Sequence, residues 1–128
     1  MAEFSDYLED KIIDHMLRNQ AHTPPSTLYL ALYTAAPSDA GGGTEVTGGS
    51  YARQTVALSA ASGGASSNSA DITFPQATAD WGTIGWCALF DAVSGGNMLM
   101  WTALDASKVI NNGDTFKINT GDLDITVD

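Results

Sequence analysis

TIGWCALFDAVSGGNMLMWTAL, residues 83–104, reads as two apolar runs joined by a turn. In the first run, 83–90, a two-residue alternation puts Ile84, Trp86, Ala88 and Phe90 on one face, as in a strand. DAVSGGN (91–97) carries the turn chemistry, and MLMWTAL (98–104) returns as the partner strand. Two apolar runs around Ser-Gly-Gly-Asn predict an antiparallel hairpin. A hairpin in mid-chain argues for an all-β body.

The neighbouring segments keep the same period. TLYLALYT (27–34) sets Leu28, Leu30 and Leu32 against Tyr29, Ala31 and Tyr33, with large groups on both faces as in a buried strand. RQTVALSA (53–60), DITF (71–74), KVI (108–110), DTFKI (114–118) and LDITV (123–127) read as further short strands. GGASSNSA (63–70) reads as a flexible polar loop. NNGD (111–114) and NTGD (119–122) are turns with shared chemistry, since Asn and Asp tolerate the left-handed region and Gly supplies it. Strands every 8–12 residues with glycine-rich turns predict a mainly β fold, an antiparallel β-sandwich of jelly-roll type.

The N-terminus differs. Phe4, Leu8, Ile12 and Met16 recur every four residues, and Tyr7, Ile13 and Leu17 widen the stripe. This period predicts one amphipathic α-helix over 4–20, with Ser5 as N-cap and Asp6 and Glu9 in the first turn. Pro24 and Pro25 would stop it. The chain is expected to form a single domain over 1–128, with the helix at 4–20 and the sandwich at 27–128. A lone amphipathic helix must dock on its own sandwich or on a neighbour.

GGGTEVTGG, residues 41–49, has five glycines in nine positions. Gly43 and Gly48 have the spacing of a phosphate loop, but Gly49 and Ser50 follow with no lysine, and an extended segment comes next where a helix is needed. The stretch is therefore expected to be a mobile connection between strands, ordering only against a neighbouring subunit.

Composition limits the function classes. Fifteen acidic against five basic residues give a net charge of −10. Lys11, Arg18, Arg53, Lys108 and Lys117 are scattered, which disfavours nucleic acid, and the same charge disfavours anionic lipid. No run approaches a membrane span, and the N-terminus lacks the basic and apolar regions of a signal peptide. The single cysteine, Cys87, sits in an apolar run and reads as a small buried hydrophobe. His15 and His22 have no metal-like partners at short spacing. Asp122, Asp124 and Asp128 alternate with Leu123, Ile125 and Val127, the pattern of a solvated strand face. No nucleophile elbow occurs, so no catalytic, metal or cofactor residue is assigned and a non-enzyme is expected.

Three blocks carry a resemblance: LYLALYTAAPSDAGGGTEVTGGSYARQTV, NSADITFPQATADWGTIGWCALFDAVSGGNMLMWTAL and VINNGDTFKINTGDLDITVD. They resemble a widespread family of small tailed-phage structural proteins, tail-fibre-like or minor virion components, and small β-domains of this kind also serve as capsid decoration (cement) proteins. The resemblance implies a virion component made in the host bacterial cytoplasm and no catalytic residues. On it rests the leading expectation: a decoration protein that self-associates as a trimer and clamps the major capsid protein. The alternative is a tail-fibre or baseplate-associated protein, with carbohydrate stacking on Trp81 or Tyr51. The expected partner contacts are Phe4, Leu8, Ile12 and Met16 on the helix, and Thr44, Glu45, Val46, Tyr51 and Arg53 in the glycine-rich connection.

Overall fold

The structure, a computed structural model, describes residues 3–127. The hairpin forms as its alternation requires: β7 (Gly82–Phe90) and β8 (Met98–Ile110) pair antiparallel, with Phe90 opposite Met98 and Ala88 opposite Trp101. β2 (Leu28–Ala35) joins the other side of β7, and β1 (Glu3–Phe4), β3 (Thr44–Glu45) and β4 (Gln54–Val56) complete a six-stranded antiparallel sheet. The path runs β1-β8-β7-β2-β3, with β4 also paired to β2. Two ribbons complete the β structure: β5 (Ala65–Ser67) with β10 (Asp124–Thr126), and β6 (Ile72–Thr73) with β9 (Lys117–Ile118). The fold is mainly antiparallel β with one short N-terminal helix, α1 (Asp6–Ile12).

The core lies between the large sheet and the two ribbons. Leu30 and Leu32 of β2, and Cys87 and Leu89 of β7, meet Ile72, Phe74, Phe116, Leu123 and Ile125 in one buried cluster. Burial of this apolar area from water is the main force holding the layers together. The opposite face of the sheet has its own smaller cluster of Ala31, Tyr33, Ala88, Phe90 and Met98, flanked by half-buried Trp86 and Trp101. β2 is buried on both faces, as its double set of large residues predicts.

Irregularities overturn part of the sequence reading. Ile84 does not share a face with Trp86, Ala88 and Phe90: it lies in the main core, and they lie on the other face. The register shifts at Gly85, which stands opposite the four residues Leu104–Ser107. A bulge changes the phase of the side-chain alternation without breaking the strand. The same bulge lets β8 run on through Lys108–Ile110, so KVI is the end of β8 and not a separate strand. The 63–70 stretch is not a flexible loop throughout, because it holds β5 and the 1 %-exposed Asn68.

Asn68 joins the two ribbons. Its Nδ2 donates to the carbonyls of Ala70 (2.8 Å) and Asn119 (3.0 Å), and its Oδ1 accepts from Leu123 N–H at 2.9 Å. Asn68→Ala leaves these three backbone groups without their partner, an expected loss of about 2 kcal/mol in urea unfolding. A loss below about 0.5 kcal/mol, the level of ordinary surface changes, would show that water replaces the side chain.

The helix is shorter than its stripe. Phe4 is in β1, opposite Met100, so the helix begins after it. Ser5 is the N-cap as expected: its hydroxyl accepts from Leu8 N–H at 3.2 Å and donates to the Met98 carbonyl, which also anchors the helix to β8. After Ile12 the helix widens into a π-helical turn, Ile13–Leu17. It ends at left-handed Asn19 (φ 57°), with Gln20 N–H bonded to the Asp14 carbonyl, well before the prolines. Asp128 lies outside the described residues.

Candidate functional site

The 36–53 connection is tied down within the chain. Ser38 and Gly41 exchange two backbone hydrogen bonds of 2.8 Å, and Thr44–Glu45 pair with β2. Val46 is buried and its N–H donates to the Leu32 carbonyl at 3.0 Å. The Gly49 carbonyl accepts from both Thr78 N–H (3.0 Å) and the Trp81 indole N–H (2.9 Å). The expectation of a segment that orders only against a neighbour is corrected by this internal bonding. Gly43 is required by close approach: at φ +74°, a Cβ there would lie 2.7 Å from Pro37 N and 2.8 Å from the Ala35 carbonyl.

At its end the connection places Arg53 against three segments. Its Nε and Nη2 each lie 2.8 Å from one carboxylate oxygen of Glu45, a bidentate pair. Its Nη1 donates to the carbonyls of Ala92 and Gly95 at 2.9 Å, holding the β7–β8 turn. The guanidinium lies over the Phe90 ring, 3.8 Å from its centroid. Only 7 % of the Arg53 side chain is exposed. Asp91 closes the same turn by accepting from Asn97 N–H (2.7 Å) and Asn97 Nδ2 (2.9 Å).

Tyr51 completes the clamp. Its hydroxyl donates to Glu45 Oε2 at 2.7 Å and accepts from Leu32 N–H at 3.0 Å. Burial, then the Glu45 hydrogen bond, raises the phenol well above its ordinary value. For Glu45 itself, burial alone would raise the carboxyl, but hydrogen bonds from Arg53 and Tyr51 outweigh it and the net direction is down. A folded-state value below the unfolded one stabilises the fold above the unfolded value, 4.5, and that contribution is lost as pH falls below 4.5 and through the folded value. Glu45→Gln is therefore expected to lower stability at neutral pH and to flatten the loss between neutral and acidic pH, read from urea midpoints. Parallel acid limbs for the two proteins would assign the acid sensitivity to other carboxylates.

The predicted contact residues separate into two groups. Phe4 and Leu8 are half-buried against the chain's own core, and Val46, Tyr51, Arg53 and Glu45 are engaged inside it. Thr44, Ile12 and Met16 are exposed. Ile12, Ile13, Met16 and Leu17 form an apolar patch along the second half of the helical segment, with exposure rising to 79 % at Leu17. Thus the helix docks on its own sheet through its first turns and leaves its end uncovered. The stripe alone could not show this, because its period is the same in both halves.

Neither Trp81 nor Tyr51 presents a free ring to a sugar. Trp81 is 5 % exposed, and the Tyr51 ring lies between Phe74 (6.0 Å, stacked) and Trp81 (5.5 Å, edge-on). Burial pushes the Cys87 thiol up to about 12, far from the range of a nucleophilic thiolate. Among the described residues, no three His, Cys, Asp or Glu side chains gather as metal ligands.

Beside the Arg53 clamp, the second face of the sheet is hollowed into a cleft of about 580 Å³. Tyr33, Phe90 and Met98 form its base, and the 39–42 and 95–97 turns stand on its sides. Trp101 supports one side by donating its indole N–H to Asp39 Oδ1 at 2.9 Å. Nothing in the alternation of single strands marks this cleft, since its parts come from six separate stretches of chain.

A search of curated proteins finds no match. A family model described as "Podophage GP4 fiber I protein gp80" matches residues 3–126, nearly the whole chain and all ten strands. With its mainly antiparallel β fold and long pinned turns, the chain belongs to this podophage fibre family and is a phage structural protein.

Proposed function

We propose that this chain is a non-enzymatic component of a phage tail fibre, present in few copies and held there by contacts with copies of itself and with other tail proteins. The match to a fibre family across residues 3–126 carries this reading and supports it over head decoration. Its description names a fibre, so a place in the capsid lattice has the weaker support. The contact surface is the uncovered end of the helical segment, Ile12, Ile13, Met16 and Leu17. Exposed apolar groups gathered in this way mark interaction sites on soluble proteins. Self-association as a trimer belongs to the same proposal.

Copy number decides the location. Gel densitometry of purified particles against the major capsid protein is expected to give a handful of copies, as befits a fibre, whereas hundreds would restore the decoration reading. The surface has its own test. Leu17→Asp touches no core group and is expected to change unfolding stability by less than about 0.5 kcal/mol. It is expected to lower incorporation into particles or self-association in analytical ultracentrifugation. Full incorporation with unchanged sedimentation would remove the patch from the interface.

A further inference from the structure

The cleft beside Arg53 has a chemistry that the fibre role does not use. Tyr33 at its base is only 5 % exposed, yet its hydroxyl has no hydrogen-bond partner among the described residues. No fully enclosed side-chain oxygen or nitrogen among them is without a partner. The Tyr33 oxygen therefore opens to the cleft. This contrasts with Tyr51, whose hydroxyl is doubly bonded within the fold.

Three other side chains lining the cleft, Asp6, Asp39 and Asn97, offer acceptors. Asp39 uses Oδ1 for the Trp101 indole and keeps Oδ2 free. The Asp6 carboxylate is exposed at the start of α1, and Asn97 gives one amide N–H to Asp91 and keeps its oxygen free. The one cation there, Arg53, directs Nε and Nη2 to Glu45 and Nη1 to two carbonyls. Acceptors without a free side-chain cation suit a ligand rich in donors and positive charge. A sugar ring fits less well, because the outward face of Phe90 is covered by the Arg53 guanidinium.

We propose that this cleft receives a lysine or arginine side chain of another protein, its charged head between Asp6, Asp39 and the Tyr33 hydroxyl and its methylene stem against Met98. A second copy of this chain is a poor source. Its own cations are engaged: Arg18 with Asp14, Lys117 with Asp71, Arg53 in the clamp, and Lys11 and Lys108 over the rings of Tyr7 and Phe116. The occupant is thus a basic surface of a different chain. Only the placing of that chain among the virion proteins rests on the fibre reading.

The test is a ¹⁵N-amide NMR titration of the whole chain with N-acetyl-lysine methylamide and N-acetyl-arginine methylamide, with glucose in a parallel arm. Saturable shifts are expected on the amides of Tyr33, Asp39–Gly42 and Gly95–Asn97, and glucose is expected to leave them in place. Asp39→Asn, which keeps an oxygen for Trp101, is expected to weaken binding about tenfold, the scale of one hydrogen bond to a charged group. Tyr33→Phe removes only the hydroxyl and is expected to weaken it about threefold. Asp105→Asn, an equal charge change at an exposed position on β8, is expected to leave it unchanged. Shifts spread over the acidic surface with Asp39→Asn and Asp105→Asn equivalent, a localised response to glucose alone, or no response at all would each overturn the proposal. The titration uses the isolated chain, so its failure removes the cleft's role and leaves the fibre assignment to the copy-number measurement.

Discussion

Arg53→Ala is expected to destabilise the protein by about 3–5 kcal/mol in urea unfolding, the cost of breaking a buried charge pair from one side. The change removes both hydrogen bonds to Glu45 and both to the Ala92 and Gly95 carbonyls, and uncovers Phe90. It leaves the Glu45 carboxylate half-buried with only the Tyr51 hydroxyl. Arg53→Lys is expected to recover less than half of the loss, because an ammonium cannot make the bidentate pair and reach the turn together. A double-mutant cycle with Glu45→Gln should show strong coupling, since the two groups share one network. A loss below about 1 kcal/mol, the upper range for exposed pairs, would mean that the guanidinium is solvated and available to a partner.

Phe74→Ala is expected to cost about 3–5 kcal/mol, the range for deleting a large core aromatic. Phe74 is 1 % exposed and lies at the centre of an aromatic group: Tyr51 at 6.0 Å, Trp81 at 6.4 Å and Phe116 at 5.6 Å between ring centroids. Those neighbours come from the glycine-rich connection, the segment before β7 and the segment before β9. The cavity should therefore loosen three segments at once, and near-UV circular dichroism should lose intensity along with stability. Retained aromatic dichroism with a loss under about 1.5 kcal/mol would show that the group repacks around the gap.

These two residues also mark how far the sequence could be read. Arg53 was legible as a contact residue but not as an internal one. Its partners lie 8, 39 and 42 positions away, and only the closing of β2, β3 and the β7–β8 turn brings them to it. Phe74 was legible as the last residue of the short DITF strand, although the structure ends β6 just before it. Its aromatic neighbours were not, because alternation says nothing about which strand lies opposite.

The hairpin pairing and β2 were read from period and turn chemistry, since a two-residue alternation bounded by Ser-Gly-Gly-Asn has one economical conformation, but the facing of Ile84 and the continuation of β8 through Ile110 were not. The error at Ile84 has a single cause. The Gly85 bulge changes the phase of the alternation, and a bulge is a property of the strand pair. The two-residue strands β1 and β3 were missed because each is too short to show a period, and their pairing is decided by the sheet edges they meet. The cleft was missed for the same reason on a larger scale.

By itself, then, the sequence determined the mainly β class, the central hairpin, the N-cap at Ser5 and the resemblance to phage structural proteins. Each depends on residues close along the chain: a period, a cap, a block of motif. The tertiary structure alone decided that the glycine-rich connection is bound into the fold, that Arg53, Glu45 and Tyr51 form an internal clamp, that the helix packs its half-buried beginning on the sheet and exposes its end, and that Tyr33 faces an acceptor-lined cleft. Each of these depends on groups far apart in sequence, whose burial and hydrogen bonding are set by what packs against them.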